Sequence, residues 1–347
     1  MEKEAKPTHI GGQAVIEGVM MRGKKIYTLA VRTPEKDIFT EDVRIDTITK
    51  KYPFLKIPVI RGMVAFVESM SIGVKIITKS AEIAGELEEE EELSKFDKFL
   101  NDKFGEKLNG IIMGTAVVIS MMLGIGLFML LPSFISQLFR RFLGFESFFL
   151  LSLLEGVIRI TIFLCYMYLI SKMKDIQRVF MYHGAEHKTI VCFEQGEELT
   201  VENVITKSRF HKRCGTSFLL FVMVVSILVF MFVRTDTLWL RLLSRVLLVP
   251  LIAGISYEVI KWAGSSSSKI VSLISYPGIK LQKFTTREPE PDMIEVAIAA
   301  MQGVIKSELE PDEESSESED NSGEVNQESG NGSGEVKQEG GQNPDES

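Results

Sequence analysis

Four apolar stretches, roughly residues 111–131, 147–170, 216–233 and 238–260, set the terms for this 347-residue chain. Each approaches or exceeds the ~20 residues that cross ~30 Å of hydrocarbon. A backbone in that medium has no water to bond with, so such stretches are expected to be helices. The first and third carry no charge. The second holds Glu155 and Arg159, four residues apart and therefore on one helical face. An unpaired charge in hydrocarbon is costly, so this pair should face the protein interior or neutralise itself. The fourth contains Arg241, Arg245, Pro250, Gly254 and Glu258, and its uninterrupted apolar core begins only at Val246. The expected fold class is mainly α: a polytopic helical membrane protein with about four transmembrane helices, a small N-terminal α+β cytoplasmic region and interfacial amphipathic helices.

Lysine and arginine counts orient the spans, because cytoplasmic connections carry the excess. Residues 90–109 hold four Lys, 171–215 hold eight Lys/Arg and 261–283 hold four Lys. The connections 132–146 and 234–237 hold two and one. Both termini and the 171–215 connection are therefore expected in the cytoplasm. Met1 to Lys6 is charged and no apolar run follows it, unlike a signal peptide. Three cysteines, Cys165, Cys192 and Cys214, are too few for a disulfide framework.

The net charge of −8 misleads about the body of the chain. Residues 308–347 carry 14 Asp/Glu, one Lys and no aromatic residue, so everything before them is mildly basic. A basic body with apolar spans suits an anionic bilayer surface. No basic stripe interleaved with aromatics is present, which argues against nucleic acid. The tail has too little apolar surface to order itself, and disorder is expected from about residue 310.

Upstream of the spans, Gly11 to Gly23 reads as a glycine-punctuated loop. Residues 26–33 and 37–45 alternate apolar and polar side chains around Thr33-Pro34-Glu35-Lys36, the pattern of a β-hairpin. From Arg61 to Ala84 apolar positions recur at helical spacing, which fits either an amphipathic helix lying on the bilayer or on the membrane domain, or a core helix of a small soluble domain. An acidic run, 86–92, and a second amphipathic helix, 93–109, lead to the membrane. Downstream, Tyr276 to Pro289 reads as a basic interfacial segment, and a short helix follows with Pro291 before its apolar run. The expected organisation is a cytoplasmic region 1–109 and a transmembrane region 110–260 with the cytoplasmic connection 171–215. A cytoplasmic or interfacial segment 261–307 and the acidic tail 308–347 complete it.

The residues that could carry chemistry cluster in the 171–215 connection. His183-Gly184-Ala185-Glu186-His187 puts two imidazoles one helical turn apart, as a metal requires. The order is that of inverted zincins, in which the histidines bind zinc and the glutamate is general base. His211 and Cys214 follow before the third span. His183, His187, His211 and Cys214 make a nitrogen and sulfur set compatible with tetrahedral Zn²⁺. Four ligands would make a closed structural centre; three would leave a position open for catalysis, with Glu186 as base. Glu258 is a further candidate carboxylate. The plainer alternative is interfacial histidines and an inert thiol. Gly184 costs the helix about 1 kcal/mol relative to alanine. In the N-terminal half, Glu17, Arg22, Arg61 and Glu68 lie in two glycine-containing segments and suggest paired ion contacts at close backbone approaches, or plain structural salt bridges.

Four blocks carry a resemblance: Gly-Gly-Gln-Ala-Val-Ile-Glu-Gly-Val-Met-Met-Arg-Gly from Gly11, Tyr-His-Gly-Ala-Glu-His-Lys from Tyr182, His-Lys-Arg-Cys-Gly-Thr-Ser-Phe from His211, and Leu-Gln-Lys-Phe-Thr-Thr-Arg-Glu-Pro from Leu281. They resemble the YqhQ-like family of bacterial integral membrane proteins over about residues 8–305. The resemblance implies a multi-pass protein of the bacterial cytoplasmic membrane. It also passes on a label of metal-dependent enzyme, attached to His183, Glu186, His187, His211 and Cys214. Two functions are thus expected: a metal-dependent hydrolase, or a non-enzymatic factor assisting membrane-protein insertion or envelope assembly through membrane-protein partners, with a structural metal or none.

Overall fold

The computed structural model describes residues 8–45, 47–85, 115, 118–144, 147–211, 214–233, 238–265 and 269–309. The acidic run, the expected helix 93–109, most of residues 111–117 and the acidic tail lie outside them. The order is β1 (Gly11–Val15), β2 (Gly18–Arg22), β3 (Ile26–Arg32), β4 (Ile38–Arg44) and α1 (Ile60–Ile83). The apolar helices α2 (Val118–Phe142) and α3 (Phe148–Ile170) come next. Then come α4 (Lys174–Glu194), α5 (Val201–Ile205), α6 (Gly215–Phe232), α7 (Leu238–Ser265), α8 (Lys269–Thr285) and α9 (Pro291–Leu309).

The strands form one antiparallel meander in sequence order. The hairpin expected at 26–45 is β3–β4, with Arg32 opposite Ile38. The expected glycine loop is a second hairpin, with Val15 opposite Gly18. Its two-residue turn is Ile16-Glu17, with Glu17 at φ 47°. Neither residue is among the Gly, Asn or Asp that usually announce such a turn, so the pattern reads as a loop.

Alternation sends the side chains to two cores. Val15, Met20, Leu29 and Val31 meet Ile72 and Ile76 of α1 on one face. Val19, Met21 and Ala30 meet Tyr182, Ala185 and Ile190 of α4 and the apolar side of α9 on the other. Helix α1 therefore buries a stripe against the sheet and also docks on the membrane helix α7. At that crossing a Cβ on Gly62 would stand 2.8 Å from the Gly254 carbonyl oxygen, so only glycine lets the backbones approach. Val67, Met70 and Val74 of the same helix remain more than half exposed, an apolar stripe turned away from the protein. One side of the helix is therefore a core element, as one of the expected readings had it.

Helix α9 is longer than the short soluble helix expected. Pro291 occupies its first turn, where a missing N–H costs nothing. Eight of its residues, from Met293 to Val304, are buried. At roughly 1.5–3 kcal/mol per large apolar side chain removed from water, that makes it a core element.

Among the described residues three helices are long and apolar enough to cross a membrane: α2, α3 and the Leu243–Trp262 part of α7. The third expected span, α6, is apolar over the shorter run Phe218–Phe232. The first span runs past its expected end at residue 131 to Phe142. A π-helical turn, Gly126–Leu130, precedes Pro132 there. The wider turn absorbs the proline, which has no N–H to return to the Phe128 carbonyl.

Candidate metal centre

Helix α4 presents His183 and His187 one turn apart, with ring centroids 4.4 Å apart. In each ring Nδ1 faces a carbonyl oxygen: Thr285 at 2.8 Å for His183 and Arg209 at 2.6 Å for His187. A carbonyl only accepts, so each Nδ1 carries a proton, which makes Nε2 the atom that a neutral ring would offer to a metal. His183 Nε2 lies 3.3 Å from Cys214 Sγ. His187 Nε2 is buried with no hydrogen-bond partner among the described residues. The ligand atoms of His183, His187 and Cys214 all fall within 4.8 Å of one another. Zinc bonds of ~2.1 Å to nitrogen and ~2.3 Å to sulfur set tetrahedral neighbours about 3.6 Å apart, so small side-chain movements would close the set. The imidazole–N–H–carbonyl arrangement is the usual support for a metal-binding histidine. The residues present fit a zinc ion.

Burial lowers the His187 pKa below the ordinary histidine value, against the pull of Cys214, and so favours the neutral ring that a metal needs. Glu186 is buried beside these rings. Burial pushes its carboxyl up to about 7, with His183 pulling the other way. Its Oε2 has no partner among the described residues. A buried polar atom left unsatisfied costs about 1–3 kcal/mol, and such atoms mark functional positions more often than stable packing. Glu186, both histidines and Cys214 line one cavity of about 310 Å³.

Every block of sequence that carries the family resemblance meets here. Gly12 of β1 borders Glu186. Residues 182–188 supply the helix. Cys214 caps the start of α6 and accepts the Thr216 N–H at 3.4 Å. The end of α8 supplies the Thr285 carbonyl, while Gln282 accepts the His211 N–H at 2.9 Å and donates to its carbonyl at 2.7 Å. Gly184 is explained at the same place: a Cβ there would stand 2.0 Å from the Arg287 carbonyl oxygen. The helix gives up propensity at Gly184 so that the chain carrying Thr285 can cross it.

Of the four expected ligands, three converge and His211 does not. Its Nε2 lies 3.4 Å from Glu194, and its ring centroid is 5.8 Å from that of His187. Glu194 also accepts the Thr8 N–H at 3.0 Å, tying the start of β1 to α4. No motif marks Glu194 in the sequence, although it follows His187 by two helical turns on the same face. Thr285 and Arg209 act through backbone carbonyls, which no side-chain pattern discloses.

The other candidates stand apart from this centre. Glu258 pairs with Arg61, whose Nε donates to Oε1 at 2.6 Å and whose Nη2 reaches Oε2. Glu17 takes both nitrogens of an Arg178 fork at 2.5 and 2.6 Å, and the Tyr182 hydroxyl at 3.2 Å. Glu68 accepts the Ile48 N–H at 2.9 Å. Arg22 lines a separate cavity of about 260 Å³ on the α1 face of the sheet. Glu155 and Arg159 pair at 3.0 Å inside the apolar helices, and Arg245 reaches the same carboxylate oxygen.

A family model described as "Protein of unknown function (DUF1385)" matches residues 57–307. The "Uncharacterized protein YqhQ" of Bacillus subtilis (strain 168) is 36% identical over 309 residues, which is 89% of this chain and 96% of that protein. No solved structure matches. With three membrane-length apolar helices among the described residues and a family match over most of its length, the chain belongs to the DUF1385 family.

Proposed function

We propose that the protein is a zinc-dependent hydrolase of the bacterial cytoplasmic membrane, with its reactive centre on the cytoplasmic side. The observation that carries this reading is the pair of histidines whose Nδ1 atoms face carbonyls, with the ligand atoms of both rings and of Cys214 within 4.8 Å of one another. Three ligands beside an open cavity match the pattern of catalytic rather than structural zinc. A zinc ion held there would supply Lewis-acid polarisation of a carbonyl or phosphoryl oxygen. Glu186, with a carboxyl poised near neutrality, would take a proton at Oε2 from the attacking water and return it to the leaving group. His183 and His187 hold the centre in place. Gly12 and the wall of β1 limit what enters the cavity.

The lysine and arginine distribution supports a cytoplasmic centre and cytoplasmic termini, and α6 supplies a fourth crossing in this arrangement. A second reading, a structural metal in a non-enzymatic membrane factor, draws on His211. Its ring is near enough for a side-chain rotation to offer a fourth ligand and close the centre. Glu186→Gln separates the two. The enzyme reading expects bound zinc to persist while hydrolysis of carboxyl-ester, phosphate-ester and peptide probes falls by about 10²–10⁴-fold. Wild-type protein loaded with zinc and inert toward all three classes, or a Glu186→Gln variant as active as wild type, would overturn it.

A further inference from the structure

A cavity lies within the membrane helices, away from the histidines. It has a volume of about 650 Å³, within the range of small-ligand sites. Cys214 caps the start of α6 and Phe230, on the cavity wall, lies near its end. At 1.5 Å per residue the two are about 24 Å apart along the helix, so cavity and metal centre sit at opposite ends of the bundle.

Its lining is rich in arginine: Arg140, Arg141, Arg159 and Arg245, with Glu155 as the described acidic residue. Ionisable side chains inside a membrane mark functional sites by default. Arg159 and Arg245 are buried and held from behind. Arg159 Nε donates at 3.1 Å to the Phe128 carbonyl, one that Pro132 leaves without its helical partner. Arg245 Nη1 donates at 3.2 Å to the Met129 carbonyl and at 2.6 Å to Ser133. Both guanidiniums meet Glu155 and sit over the Phe230 ring, at 5.3 and 5.4 Å. The π-helical turn thus exists in the right place to fix two arginines against the cavity. Arg140 and Arg141, in the last turn of α2, stand on its exposed side. Apolar wall is supplied by Phe134, Leu138, Phe148 and Leu151.

Guanidiniums suit phosphate through paired, planar hydrogen bonds. An apolar wall beside them suits an acyl chain. We propose that this cavity binds a phosphate group, that of an anionic phospholipid headgroup whose chains lie against α2 and α3. The site is independent of the metal centre.

The test is native mass spectrometry of the full chain in detergent, with phosphatidylglycerol and phosphatidylcholine offered at equal concentration. A parallel thermal-stability titration uses inorganic phosphate alone. Phosphatidylglycerol should be retained over phosphatidylcholine by about tenfold or more, equivalent to ~1.4 kcal/mol. Two variants remove the preference by different routes: Arg140→Gln/Arg141→Gln deletes charge without replacing the buried arginines, and Ser152→Phe fills the cavity while leaving all four arginines in the sequence. Stabilisation by inorganic phosphate that both variants abolish, without lipid preference, would place a free anion in the same site. Equal retention of the two lipids with no phosphate effect would overturn the proposal. So would a preference that survives Ser152→Phe, since it would then come from surface charge alone.

Discussion

Gly12 of β1 and Glu186 of α4 are in contact with no room between them: a Cβ on residue 12 would stand 2.8 Å from Cγ, Cδ and Oε1 of the glutamate. Its neighbour Gly11 has open space at the same position. The pair gives an internal control. Gly12→Ala should destabilise the protein by about 1–3 kcal/mol through overpacking, and Gly11→Ala by less than about 0.5 kcal/mol. Denaturant unfolding checks both. The Gly12→Ala cost should shrink when Glu186→Ala is combined with it, because the two changes act on one contact. Equal costs for the two glycines would remove the proposed packing of β1 against the glutamate.

Alanine ordinarily improves a helix interior over glycine by roughly 0.5–1 kcal/mol. At Gly184 the sign should reverse. The added methyl meets the Arg287 carbonyl, and relief requires moving the segment whose Thr285 carbonyl orients His183. Gly184→Ala is expected to lose stability by at least about 1 kcal/mol and to weaken zinc binding by about 10–100-fold, the usual cost of disturbing a ligand's support. A melt combined with a competitive chelator titration reads both quantities. A stabilised variant of unchanged affinity would contradict the crossing of α4 by residues 285–289.

His211 tests whether the centre is open. Its imidazole is occupied by Glu194, so His211→Ala should reduce zinc affinity by no more than about 100-fold, as for a supporting residue. His183→Ala should abolish stoichiometric binding. If His211→Ala matches His183→Ala, the centre is closed by four ligands and the hydrolase reading fails.

Glu155 receives two arginines, Arg159 and Arg245, on one oxygen. Removing the carboxylate leaves two buried cations facing each other, whereas removing Arg159 leaves a one-to-one pair. Glu155→Gln should therefore destabilise the membrane region by about 3–5 kcal/mol, and more than Arg159→Gln does. Thermal unfolding in detergent ranks the two. The reverse order would contradict the shared-carboxylate arrangement.

Much of this architecture is legible from the residues, and its illegible parts have physical causes. Charge-free runs expose the apolar helices because hydrocarbon leaves a chain few alternatives. The His-x-x-Glu-His spacing places two histidines and a carboxylate close together on the helix, since the helical period dictates it. The β1–β2 hairpin escapes notice because Ile16-Glu17 does not look like a turn. Helix α2 continues through Pro132 because a π-helical turn accommodates it, and a proline alone reads as a stop. Glu258 looked available to a metal only because its partner, Arg61, is nearly 200 residues away in sequence. The backbone carbonyls of Thr285 and Arg209 that orient the histidines belong to no motif. The separate stretches expected as N-terminal, connecting and C-terminal regions share one core around Met21, Ala185 and Met293, a relation that distance in sequence conceals.

The most direct measurement is the metal content of the full chain, purified in detergent without a histidine tag and analysed by elemental mass spectrometry beside His183→Ala and Cys214→Ala. The account predicts close to one zinc per chain in the wild type and none above background in either variant. Wild-type protein without metal after zinc loading, or zinc retained by both variants, would contradict it.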